Sequence, residues 1–141
     1  MGSEDIRYKL VDVRDDDNLY NGIAYMWKSQ KLTPPPQDVL SRYCMLATYE
    51  DVEICAVFLY DTGCSMAMME FMIVNSRIPK TIRDRALDNV ISLAVEWSEN
   101  NGYKYVYTAT NKERFKQRLT NNSFVPRGAP QQHMFWGLEN G

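Results

Sequence analysis

The 141 residues are one ordinary domain's worth of chain, enough to bury roughly two thirds of the surface that the unfolded chain would expose. With 45% hydrophobic and 24% charged residues, and with nine tyrosines, five phenylalanines and three tryptophans, the composition excludes a disordered chain. A formal net charge of −2 excludes a global positive field that would hold nucleic acid or anionic lipid by counterion release.

Residues 7–14 (RYKLVDVR) alternate well enough to predict a first strand. Asp15, Asp16 and Asp17 suit the positive start of a helix, and Leu19, Ile23, Met26 and Trp27 follow at helical spacing to an end near Lys31. Pro34, Pro35 and Pro36 cannot continue that helix, but Pro36 can open a second, short one through Tyr43. Residues 45–49 and 53–60 read as a hairpin around Glu50, Asp51 and Val52, and Asp61-Thr62-Gly63 marks the next turn. The longest apolar run, residues 65–74 (SMAMMEFMIV), is too continuous for a strand with one wet face and predicts a central strand carrying a single charge, Glu70.

From residue 79 to about residue 100, Ile82, Ala86, Val90, Leu93, Ala94 and Trp97 recur every three or four positions, and Asn100-Asn101-Gly102 supplies a stop. Residues 103–110 (YKYVYTAT) predict a strand, residues 111–119 a short basic helix, and residues 124–127 and 133–138 two closing strands around Gly128-Ala129-Pro130. Cys44, Cys55 and Cys64 match neither a zinc motif nor a disulfide framework, and the lone His133 has no metal-ligating neighbour at ligand spacing. Residues 1–5 are polar, and no run approaches the roughly 18 apolar residues of a membrane span. A reducing, cytoplasmic location with no bound metal, no membrane and no nucleic-acid partner is expected.

This order of elements resembles that of the GCN5-related N-acetyltransferase (GNAT) superfamily, over nearly the whole chain and most specifically from residue 70 to residue 124. There the family has a strand ending in Val, a phosphate loop, a long helix closing at a Gly, a strand ending at Asn, and a short helix running into a Gly-Phe pair. This chain supplies Val74, residues 79–84, Gly102, Asn111 and Ser123-Phe124. The resemblance implies a single α/β domain with a central mixed sheet of about seven strands and about four flanking helices. It also implies acetyl-CoA as cosubstrate and a small-molecule or protein amine as acceptor, with the oligomeric state open between monomer and dimer.

Site residues follow from the same resemblance. A bulge in the long strand would let backbone N–H groups of Met72 and Ile73 hold the thioester carbonyl, with Val74 beside the cofactor. Backbone donors aimed at a developing oxyanion are worth about 3 kcal/mol each. Glu70 is the candidate base, because burial in that strand would raise its pKa. The diphosphate would meet the start of the long helix at Lys80, Thr81, Ile82, Arg83, Asp84 and Arg85, and Asn111 would lie near the pantetheine arm. Ile82 and Asp84 stand where the family has glycine or alanine, and Leu119 where it has its acid tyrosine. Lys112, Arg114, Lys116 and Arg118 lie near the family's 3′-phosphate site. These departures keep open a second reading, a non-catalytic binding or assembly module of the same fold, as in some bacteriophage particle proteins.

Overall fold

A computed structural model describes residues 5–110 and 112–128. Strand β1 (Arg7–Val11) leads into helix α1 (Asp17–Lys28), where Asp16 caps the first turn by accepting the Leu19 N–H at 3.0 Å. Lys31, at φ 60°, ends the helix, and the Leu32 N–H reaches back to the Trp27 carbonyl. The predicted second helix at residues 36–43 is only a 3₁₀ turn, Gln37–Val39. Side chains hold that segment extended: Tyr20 Oη donates to the Pro35 carbonyl (2.7 Å), Tyr60 Oη to Val39, and Ser41 Oγ to Leu59. Strand β2 therefore starts at Tyr43 and runs to Tyr49.

The turn into β3 (Val52–Asp61) is tighter than expected. Glu50 and Asp51 both have positive φ (48° and 64°), the two-residue turn whose twist matches a hairpin. Strand β4 (Met66–Val74) follows, then α2 (Lys80–Asn100), β5 (Tyr105–Tyr107) and α3 (Glu113–Asn121). Helix α2 closes where predicted, with Gly102 at φ 87° and the Tyr103 N–H on the Ser98 carbonyl.

The sheet order is β1-β2-β3-β4-β5, antiparallel throughout except for the parallel pair β4–β5. The described residues thus hold five strands and three α-helices, fewer than the seven and four expected. Residues 124–128 carry no strand, and the one predicted at residues 133–138 lies outside the described residues, as does His133. The middle strand is β3 rather than β4, and it is buried on both faces from Ile54 to Leu59. On one face Val57, Leu59, Met69 and Val74 pack under Ala86, Val90 and Ala94 of α2 and Phe115 and Leu119 of α3. On the other, Ala56, Phe58 and Ile73 pack under Ile23, Met26 and Trp27 of α1.

Cys44 and Cys55 are enclosed by these two layers, and burial pushes both thiols far above the usual cysteine range. Cys64 is exposed, and its hydrogen bond with Thr62 lowers its thiol. A disulfide reagent is therefore expected to titrate one thiol rapidly in the native protein and all three only in denaturant. Three rapid equivalents in the native state would contradict this packing.

Candidate active site

The backbone of β4 builds the site. Its register with β3 pairs Phe58 with Glu70 but Ala56 with Ile73, so three steps along β4 oppose two along β3. The extra residue is a bulge at Phe71–Met72, with Phe71 at φ 56°. The bulge interrupts the alternation of side chains, so Glu70 and Phe71 both lie on the α1 face, while Met72 turns to the α2 face. Phe71 packs against Tyr60, with ring centroids 6.2 Å apart.

Strands β4 and β5 part before the bulge. Pairing stops at Met68 and Tyr107, so β5 has three residues instead of the eight expected. Beyond Met68 no described strand pairs with that edge of β4. Past the bulge, the Asn75 N–H donates to the Ile54 carbonyl at 2.7 Å. Alternation then turns the peptide groups of Ile73 toward β3 and those of Val74 toward the open edge. The carbonyl of Val74 accepts the Gln30 side-chain amide there at 2.6 Å.

Glu70, the residue before the bulge, is half-buried. Its charge adds to the effect of burial, the larger cause, in pushing the Tyr60 hydroxyl up to about 12. Leu119, at the expected tyrosine position, is a core residue of the α2 face. Tyr105 and Tyr107 are 64% and 43% exposed rather than packed in the core, while Tyr103 stacks on Trp97.

The predicted phosphate loop at residues 79–84 is already helix. The connection is Asn75 to Pro79, a turn in which Asn75 accepts the Arg77 N–H on its side chain and the Ile78 N–H on its carbonyl. The Pro79 carbonyl takes the Ile82 and Arg83 N–H groups, which leaves Lys80 and Thr81 with the helix's open donors. Ile82 is core, at 7% exposure, and does not line the opening through its side chain. Arg85 lies one turn from Asn89, which bonds Tyr8 of β1, and its charge acts on Tyr8; it does not join the other bases.

Asp84 is neutralised. Burial would raise its carboxyl, but Lys80 at 2.7 Å and Arg118 at 3.6 Å hold it below the ordinary carboxylate range. Arg118 also pairs with Asp88 at 3.0 Å, tying α3 to α2. The Nε of Arg83, like that of Arg118, is buried with no hydrogen-bond partner among the described residues. Arg114 is destabilised as a cation by burial and then by Arg83, and Lys112 by burial and then by Arg114. Lys112 and Arg114 both lie over the Phe115 ring, at 5.5 and 5.3 Å. Arg83, Arg114 and Lys112 thus form a linked run of cations where α2 and α3 begin. Sequence spacing alone could not single them out, because Arg83 is about 30 residues from Lys112 and Arg114. Asn111 lies outside the described residues.

A groove of about 290 Å³ lined by Val95, Glu99, Tyr103, Tyr105 and Phe124 sits at the start of β5, away from the bulge. Among the described residues there is no cluster of three or more metal-ligating side chains, and no helix is long and apolar enough to cross a membrane.

No protein-family model matches the chain, and no curated protein sequence matches it. Solved structures do. An aminoglycoside acetyltransferase from an uncultured soil metagenomic sample superposes with a TM-score of 0.65 at 10% identity, covering 96% of this chain and 98% of that one. A ribosomal-protein-alanine N-acetyltransferase from Brucella melitensis gives 0.62 at 14% identity, covering 93% and 99%. A probable acetyltransferase from Staphylococcus epidermidis gives 0.64 at 14% identity, covering 84% and 83%. Identities this low show the fold: the chain has the α/β architecture of the GNAT acetyltransferases.

Proposed function

We propose that this single domain is an acetyl-CoA-dependent N-acetyltransferase of the cytoplasm, passing an acetyl group to an amine on a small molecule or protein. The observation that carries the reading is the bulge at Phe71–Met72, on the edge of β4 that no described strand pairs with past Met68. An extended arm bearing amides can lie along that edge as an added strand. The diphosphate then falls by the free N–H groups of Lys80 and Thr81, where the helix dipole favours anions. Arg83, Lys112 and Arg114 supply by side-chain charge what a glycine loop supplies by close backbone approach.

The acetyl carbonyl rests on backbone N–H groups at the bulge. Of the two expected donors, Met72 and Ile73, the peptide of Ile73 faces β3, which leaves Met72, with Val74 joining it. The amine nitrogen attacks the thioester carbon, the C–N bond forms, and the negative charge that develops on oxygen is held by these donors. Glu70, on the same stretch of strand, takes the proton of the attacking amine directly or through water. Collapse breaks the C–S bond, and the departing thiolate takes a proton from solvent, since Leu119 offers none.

Thermal unfolding with and without about 1 mM acetyl-CoA tests the reading. A ligand at 100 times its Kd stabilises the native state by about 2.7 kcal/mol, a shift of several degrees for a domain of this size. A saturable shift supports the transferase. No shift leaves the fold standing, removes cofactor-dependent chemistry, and favours the assembly module.

A further inference from the structure

The Val74 carbonyl points to a control on this site. Val74 is 1% exposed, its carbonyl faces away from β3, and no described strand reaches it because β5 has already diverged. A buried carbonyl without a donor is costly. Gln30, two residues past the end of α1, fills the need with its Nε2, which also lies 3.3 Å from the Met26 carbonyl. A primary amide from the helix side thus stands where an added strand would place a backbone-like N–H.

We propose that Gln30 is an internal placeholder: its side-chain amide occupies the Val74 carbonyl in the empty protein and must leave when an amide of the cofactor's arm takes that carbonyl. The inference rests on the acetyl-CoA reading and concerns how that site is held closed. Breaking one buried hydrogen bond to make another of the same kind leaves little net gain, so Gln30 lowers cofactor affinity while stabilising the unliganded fold. Removing the side chain should therefore move stability and affinity in opposite directions. A merely structural role moves both downward.

Calorimetric titration of the full chain with coenzyme A, pantetheine and adenosine 3′,5′-bisphosphate separates the cases. Gln30→Ala is expected to lower the melting temperature without ligand, yet bind coenzyme A and pantetheine about fivefold more tightly, with the bisphosphate unchanged. Gln30→Asn, too short to span from the helix to Val74, should show the same gain and guards against a misfolded alanine variant. Equal or weaker binding of coenzyme A by both variants, with the parent binding normally, overturns the placeholder alone. Failure of parent and variants alike to bind coenzyme A overturns the transferase reading and the placeholder with it.

Discussion

Exchanging Arg83 for glutamate is expected to weaken acetyl-CoA binding about 100-fold. The substitution removes one positive charge and adds a negative one beside the start of α2, a change of two units next to a diphosphate. At an effective dielectric near 20 and a separation of about 6 Å, each unit is worth about 3 kcal/mol before screening. Salt and partial exposure halve that, so about 3 kcal/mol remains for the pair of changes, close to two decades in Kd. The Nε of Arg83 is buried without a partner among the described residues, so an anion placed there would meet an unused donor. Direct titration at two salt concentrations checks this: the loss should shrink as salt rises. The same reversal at Lys9, exposed on the far edge strand β1, is the control and should leave affinity within about twofold. Equal losses at Lys9 and Arg83 would mean that overall charge, not the cluster, holds the ligand.

Truncating Phe58 to alanine is expected to cost about 3–5 kcal/mol of folding stability, the range for a fully buried phenylalanine. Phe58 is 0% exposed, packed under α1 with Ile23, Met26 and Trp27, and it pairs with Glu70 at the last regular step before the bulge. At roughly 3 °C per kcal/mol for this length, the melting temperature should fall by roughly 10–15 °C. Chemical denaturation measures the loss directly. A loss under about 1 kcal/mol would mean that α1 does not close over this face.

Much of the fold was legible because local chemistry and tertiary demand agree. The stripe from Ile82 to Trp97, ended by Gly102, gives α2 to within a residue of its observed start. The apolar run at residues 65–74 is β4 almost end to end, and the acidic group at residues 15–17 contains the cap of α1. Ser123, which stands where the resemblance has glycine, adopts φ 69° and ends α3 as a glycine would. Where periodicity was weak the expectation failed: residues 36–43 have too few helical hydrogen bonds to form, and side chains from α1 and β3 hold them extended instead.

The candidate site was less legible, and the reason is geometric. The resemblance pointed to residues 70–85, but which peptide groups face the opening depends on one extra residue in β4 relative to β3. That register is a property of two paired strands and has no local signature, since Phe71 is not a residue that favours positive φ.

By itself, the sequence determined the order and kind of the main elements and the polar breaks between them, because each rests on contacts within a few residues. Only the tertiary structure decided that β4 parts from β5 after Met68, that Arg118 joins Lys80 on Asp84, that Arg83 acts on Arg114 and Arg114 on Lys112, and that Gln30 covers the Val74 carbonyl. Each of these joins residues from separate elements, and their meeting depends on how the helices dock on the two faces of the sheet.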